Sequence, residues 1–203
     1  FPMHELGHNS AVALHVMVEA MKLVFADREK YMADPAFVSV PVEGLVSKTY
    51  ARELACRIDL TAAAREVQPG NPWAHQKAGL GALEIFVGGI GDEAVSTTAF
   101  SVVDAVGNMV ACSNTINYFF GSGVFVPEYG IMLNNQMDDF SKDPASVNAP
   151  EPGKRPLSSM APTIILDPKG RPFMTLGSPG AARIITAIVQ IIVNVIDYGM
   201  KMD

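Results

Sequence analysis

Apolar residues at Leu14, Val18, Met21 and Phe25 recur at the 3.6-residue period of an α-helix, which predicts one long amphipathic helix over residues 10–32. Asn9-Ser10 offer a cap at its start and Asp34-Pro35 a stop beyond its end. A second helix is predicted over 47–58 and a short one over 62–67. From 68 to 95 the pattern dissolves into Pro69-Gly70, Pro72, Gly79, Gly81, Gly88-Gly89 and Gly91, the composition of a loop or linker. The character changes at Ser96. Residues 97–104 are β-branched and aromatic, Val106-Gly107-Asn108 supply a turn, and 109–117 continue as a second strand, so the pair reads as a hairpin. Further strands are predicted over 130–134, 160–166 and 172–176, with Asp167-Pro168-Lys169-Gly170 turning between the last two. A closing helix is predicted over 179–198, stopped by Gly199. Helices first, then a strand-rich stretch closed by a helix, argue for layered α+β with the sheet between helices. The chain shows no internal repeat.

Composition sharpens this picture. Of 203 residues, 49% are hydrophobic and 18% charged, which places the chain among globular proteins. A mean hydropathy of +0.21 is high for a free-standing domain and leads us to expect an internal piece of a larger protein, with partner surface uncovered. The net charge is -6 and no cationic run exceeds Lys154-Arg155, so there is no footprint for nucleic acid. The greasiest stretch, 184–196, is interrupted by Thr186, Gln190 and Asn194 and falls short of the roughly 18 apolar residues of a membrane span, so it reads as a buried helix. Cys56 and Cys112 lie in segments of different character and imply neither a disulfide framework nor a Cys-rich metal site. The opening Phe1-Pro2-Met3-His4-Glu5 lacks the basic and apolar regions of a signal peptide.

The candidate chemistry starts at Thr97. Ser96-Thr97-Thr98 sits where a glycine-rich linker meets an ordered strand, a place where a backbone cut would release a new terminus without unravelling a core. A threonine at a free N-terminus can use its own α-amine to activate its hydroxyl, so nucleophile and base come from one residue. Ser178, Pro179, Gly180 and Ala181 offer a second element: with Ser178 as cap and Pro179 in first position, the Gly180 and Ala181 N–H groups would be orphan donors at the positive end of the last helix. That is an oxyanion hole in outline.

The block Thr97-Thr98-Ala99-Phe100-Ser101-Val102-Val103-Asp104 resembles the start of the small subunit of γ-glutamyltranspeptidases. Four more blocks agree in order: Asn114-Thr115-Ile116-Asn117 with Phe120-Gly121-Ser122-Gly123, the run 133–140 (Leu-Asn-Asn-Gln-Met-Asp-Asp-Phe), the run 155–160 (Arg-Pro-Leu-Ser-Ser-Met), and Gly177-Ser178-Pro179-Gly180. Upstream, Phe25-Ala26-Asp27-Arg28 and residues 31–35 resemble the end of the large subunit. The resemblance implies an N-terminal-nucleophile hydrolase with an αββα sandwich, incomplete in this chain. Residues 1–96 would be the C-terminal part of the large-subunit region and 97–203 the start of the small-subunit catalytic region. It implies autocatalytic cleavage at Ser96-Thr97, then transfer or hydrolysis of glutathione-like γ-glutamyl amides through a Thr97 ester. Thr115 would orient the nucleophile, and the Gly180 and Ala181 N–H groups would hold the oxyanion. Asn117, Gln136 and Asp139 would hold the donor's α-amine and α-carboxylate, and Ser158 and Ser159 would bond the carboxylate. The partners implied are a small γ-glutamyl donor, an amino-acid, peptide or water acceptor, and the remaining parts of the same protein. No cofactor is implied. The resemblance points to a periplasmic or secreted setting, while the residues themselves leave the compartment open.

Four features depart from the family pattern. Ala99 stands where relatives often have histidine, and Ala181 where many have glycine; because the donor at 181 is backbone, alanine is compatible with its role. Only 19 positions separate Asp139 from Ser158 (158 minus 139), shorter than in relatives with a lid loop, so an open donor site is expected. The arginine that grips the donor carboxylate in the family lies upstream of this span, so the 203 residues alone are expected to bind γ-glutamyl donors poorly. Two rival readings stand beside this one. His4-Glu5-Leu6-Gly7-His8 fits the H-E-x-x-H pattern of zinc proteases, but Gly7 sits inside it and no third ligand is near, so a solvated pre-helical loop is the preferred reading. A glutaryl or cephalosporin-type acylase, or a noncatalytic uncut relative, is the rival within the fold, and Asp139 argues against the acylase because an acid there suits an α-ammonium.

Overall fold

In a computed structural model, which describes residues 1–76 and 95–202, the chain is mixed helix and strand. The linker predicted over 68–95 lies outside the described residues from 77 to 94. In order, the elements are α1 (Met3–Leu6), α2 (Ala11–Tyr31), α3 (Val42–Leu45), α4 (Lys48–Ala55), β1 (Val95–Val103), β2 (Met109–Tyr118), β3 (Phe125–Val126), β4 (Ile131–Met132), β5 (Thr163–Leu166), β6 (Pro172–Leu176) and α5 (Arg183–Ile196). The described residues fall into two compact units, one of 1–76, 143–155 and 192–202, the other of 95–142 and 156–191.

The first unit is helical. Ser10 caps α2 as predicted, its hydroxyl accepting the Ala13 N–H at 3.1 Å. The buried face is not the predicted one. Leu14 and Val18 are exposed, whereas Ala13, Val16, Glu19, Leu23, Asp27 and Arg28 are buried. The helix carries apolar residues on two sides, and the side it buries is selected by polar partners. Glu19 accepts the Lys22 ammonium at 2.6 Å and the Ala64 N–H at 3.2 Å, and Lys22 also donates to the Ala64 carbonyl at 2.9 Å. These bonds explain why the helix expected over 62–67 is absent: the Ala64 backbone groups that a helix would use are spent on α2. The predicted helix 47–58 ends earlier, at Ala55. Asp27 accepts the Tyr50 hydroxyl and the Gly70 N–H, both at 2.7 Å, and Tyr31 donates to the Gly70 carbonyl at 2.7 Å. A Cβ on Gly70 would strike the Tyr50 hydroxyl, so only glycine fits this clamp. Burial, reinforced by the Asp27 bond, pushes the Tyr50 phenol well above its ordinary value. The Asp34 carboxylate, also buried, accepts Nε and Nη2 of Arg155 at 3.0 and 2.8 Å and the Arg155 backbone N–H at 2.9 Å.

The second unit is built on hairpins. β1 and β2 pair antiparallel from Thr97↔Thr115 to Val103↔Met109, as predicted, and the register shifts between Val95 and Thr97. On the β2 side that shift coincides with Asn117, which adopts φ 77, a left-handed conformation that asparagine tolerates better than most residues. The strand expected over 130–134 shrinks to the two-residue β4, paired with β3. β5 and β6 pair antiparallel and pack on the first hairpin: the Thr175 hydroxyl donates to the Val110 carbonyl at 3.2 Å, and a Cβ on Gly177 would lie 2.9 Å from that of Ala99. Met174, Leu176, Ile184 and Ile188 are the buried apolar residues of β6 and α5. Among the described residues no helix is long and apolar enough to cross a membrane.

The last helix corrects a prediction. α5 starts at Arg183 rather than Pro179, because Gly180 (φ 122) and Ala181 (φ 51) leave the helical region. The Ser178 hydroxyl donates to the Pro179 carbonyl at 3.0 Å, so it does not cap the helix. The H-E-x-x-H reading also fails on geometry. α1 stops at Leu6, Gly7 turns away at φ 81, and the His8 ring packs edge-on against Tyr198 at 5.1 Å, so His4 and His8 do not share a helical face. The solvated loop expected there is instead a short helix over Met3–Leu6.

Candidate active site

The hairpin brings Thr97 and Thr115 opposite each other, and the Thr97 hydroxyl donates to Thr115 Oγ1 at 3.1 Å. The same Thr115 oxygen accepts the Asn117 N–H at 2.9 Å, a bond made within reach by the left-handed turn at Asn117. Thr115 is therefore held by backbone on one side and holds Thr97 on the other. β1 begins at Val95, so Ser96 and Thr97 lie in its first residues.

Past the end of β2, a 3-10 turn over Gln136–Asp139 presents the acidic group. Asn117 Nδ2 donates to Asp139 Oδ1 at 3.2 Å and Gln136 Nε2 to Oδ2 at 3.0 Å, so two neutral amides help to orient the carboxylate. The Ser158 hydroxyl accepts the Met160 N–H at 3.2 Å, and Ser159 is buried. Thr97, Thr115, Asn117, Gln136, Asp139, Ser158, Ser159 and Ala181 all line one pocket. Gly180 is not in its lining, although it directly precedes Ala181. Among the described residues neither the Gly180 nor the Ala181 N–H meets a backbone carbonyl, while their own carbonyls accept from Arg183 and Ile184. The two orphan donors thus come from the turn that leads into α5 rather than from its first turn.

Three further residues complete the wall: Tyr118, Met160 and Ile184. Sequence reasoning did not select them. Tyr118 and Met160 directly follow Asn117 and Ser159 and were within reach of that reasoning, whereas Ile184 reads as ordinary helix core. Among the described residues no group of three or more His, Cys, Asp or Glu side chains is placed to hold a metal ion.

Two hydrogen-bonded threonine hydroxyls, a carboxylate held by amides and the Ala181 backbone thus share one pocket on a mixed α+β scaffold. The chain belongs to the gamma-glutamyltranspeptidase family, whose model matches residues 1–203. It is 42% identical over 214 residues to a glutathione hydrolase proenzyme of Escherichia coli (strain K12), covering 100% of this chain and 34% of that protein. It is 40% identical over 203 residues to an acylase ACY 1 proenzyme of Pseudomonas sp. (strain SE83), covering 100% of this chain and 33% of that one. Among solved structures, cephalosporin acylase from Bacillus halodurans is similar with a TM-score of 0.76 at 30% identity, over 98% of this chain and 33% of that chain. The chain therefore spans about a third of the length of the relatives it matches.

Proposed function

We propose that the chain forms the centre of an enzyme that transfers or hydrolyses γ-glutamyl groups from glutathione-like amides. The observation that carries this reading is the 3.1 Å bond from the Thr97 hydroxyl to Thr115, set in a pocket that also contains Asn117, Gln136, Asp139, Ser158, Ser159 and Ala181. Maturation comes first. The Thr97 hydroxyl attacks the Ser96 carbonyl carbon, the C–N bond breaks as the acyl group moves to oxygen, and water hydrolyses the ester. This leaves a Ser96 carboxylate and a free Thr97 amine, and separates the region that ends at residue 96 from the one that begins at residue 97.

That amine then takes the Thr97 hydroxyl proton while the oxygen attacks the γ-carbonyl of a donor. The oxyanion is met by the N–H groups of Gly180 and Ala181, the leaving amine takes the proton, and water or an amino-acid or peptide amine resolves the ester. Asp139, with Asn117 and Gln136, reads the donor's α-ammonium, and Ser158 and Ser159 bond its carboxylate. No step calls for a metal or organic cofactor. The contact of the two hairpins through Ala99, Gly177 and Thr175 supports placing them as facing sheets of an αββα sandwich, completed by the remaining parts of the same protein.

An acylase is the second reading, favoured by the likeness to the ACY 1 and Bacillus halodurans proteins. The full-length protein separates the two when assayed with a γ-glutamyl anilide and with the glutaryl anilide that lacks the α-amine. Preference for the first, together with a fragment of mass beginning at Thr97, supports γ-glutamyl transfer; preference for the second makes it an acylase. An uncut chain inactive on both is a noncatalytic relative.

A further inference from the structure

The pocket contains a phenol to which the mechanism gives no part. Tyr118 is the last residue of β2 and directly follows Asn117. Its backbone N–H donates to Asn135 Oδ1 at 3.1 Å, and its hydroxyl donates to Asp138 Oδ2 at 2.7 Å. The Asn135 N–H in turn donates to the Ile116 carbonyl at 3.3 Å. These links grip both ends of the same 3-10 turn, since Asn135 is its N-cap and Asp138 its third residue. Left to itself a four-residue 3-10 turn holds its shape poorly, because its hydrogen bonds are few and of strained geometry. Yet this turn carries Gln136 and Asp139 into the pocket.

Successive residues of β2 thus hold successive carboxylates, Asn117 that of Asp139 and Tyr118 that of Asp138. Bonds from a neutral donor to an ionised acceptor are among the stronger and more directional ones available. Without the Tyr118 hydroxyl the far end of the turn would be tied by the Asn117 bond to Asp139 alone, the group that has to face a ligand, and Asp139 would be freer to swing. Recognition of an ammonium by a carboxylate is steep in distance, so small displacements matter.

We propose that Tyr118 is a positioning residue for donor recognition: acting through Asp138, it fixes the turn so that Asp139 faces the pocket, and so sets the preference for donors with an α-ammonium. This rests on the reading of Asp139 given under Proposed function. The test uses the processed full-length enzyme with the γ-glutamyl and glutaryl anilides. Tyr118→Phe keeps the ring and deletes the hydroxyl; KM for the γ-glutamyl anilide rises about three- to tenfold, the worth of one net hydrogen bond. kcat stays within about twofold, because ground-state and transition-state binding are lost together. The kcat/KM ratio of γ-glutamyl to glutaryl anilide falls by the same factor as KM rises. Asp138→Ala reproduces the effect, the double variant is no worse than either single one, and Asp138→Asn, which keeps an acceptor oxygen, restores most of the selectivity.

Asp139→Asn run alongside separates the two levels of the argument. If Asp139→Asn collapses the ratio while Tyr118→Phe and Asp138→Ala lower only the melting temperature, the positioning role is wrong and Asp139 stands. If Asp139→Asn leaves the ratio unchanged, the reading of Asp139 fails and the role of Tyr118 fails with it.

Discussion

The two units use buried and half-buried carboxylates in opposite ways. In the helical unit Asp34 is closed off by a guanidinium and two backbone N–H groups, those of Arg155 and Ala36, and Asp27 by a phenol and the Gly70 N–H. In the hairpin unit Asp139 is steadied by two amides at the edge of a pocket. A carboxylate matched by a cation within the fold contributes to stability and has little charge left to offer a ligand. Asp27, held by neutral donors, is nonetheless closed within the fold, whereas Asp139 borders a pocket shared with Thr97 and Thr115. The contrast teaches that acidity alone does not mark a functional site; the cavity that the carboxylate borders does.

The sharpest way to break the comparison is at the nucleophile. Thr97→Ala in the full-length protein should leave the Ser96 bond intact by mass spectrometry and lower γ-glutamyl activity by about a thousandfold or more. Cleavage of that variant at the normal rate would show that another group cuts the chain. Next in size, Asp139→Asn should lower the ratio of γ-glutamyl to glutaryl activity by roughly ten- to a hundredfold, the value of a hydrogen bond to a charged group. Its melting temperature should hardly move, because Asp139 belongs to the pocket rather than to a closed clamp.

Asp34→Asn should show the reverse, leaving the activity ratio alone while costing about 1–3 kcal/mol in denaturant unfolding of the full-length protein. The hydrogen bonds and charge of Arg155 hold the Asp34 carboxyl well below the usual carboxylate range, outweighing its burial. The folded state therefore binds that proton more weakly than the unfolded state does. Stabilisation is complete above about pH 5, where an unfolded aspartate is almost fully ionised, and is lost as pH falls from there towards the depressed folded value. Wild type and Asp34→Asn should accordingly converge in acid, and a constant gap down to about pH 2 would remove the ion pair from the account. The smallest effect expected is that of Ser10→Ala, about 1 kcal/mol from loss of the α2 cap.

Local signals in the sequence were read well where the deciding contacts are local. The Ser10 cap, the hairpin 97–117 and β6 needed only neighbouring residues, and the structure has all three. The failures share a cause in long-range contacts or in backbone conformation that residue type does not dictate. Which face of α2 is buried was settled by Ala64, Tyr50 and Gly70, more than twenty residues downstream. The absent helix at 62–67 has the same origin. The late start of α5 depends on Ala181 adopting φ 51, which its composition gives no reason to expect. Of the nine site residues named from sequence, eight line one pocket, because five ordered blocks of resemblance identify positions without requiring their geometry. Tyr118 escaped since its significance lies in a bond to Asp138, twenty residues on.

Ala181 has one more implication. An L-residue in the left-handed region is held there against its own preference, at a cost of about 1–2 kcal/mol that glycine would escape. The side chain at this position thus works as a spring clip: the methyl group makes the local fold less comfortable, yet it narrows the range of directions in which the backbone N–H can point. Ala181→Gly is then a trade of rigidity for ease, in which the molecule becomes more tolerant of heat as its proposed oxyanion donor becomes less certain of its aim.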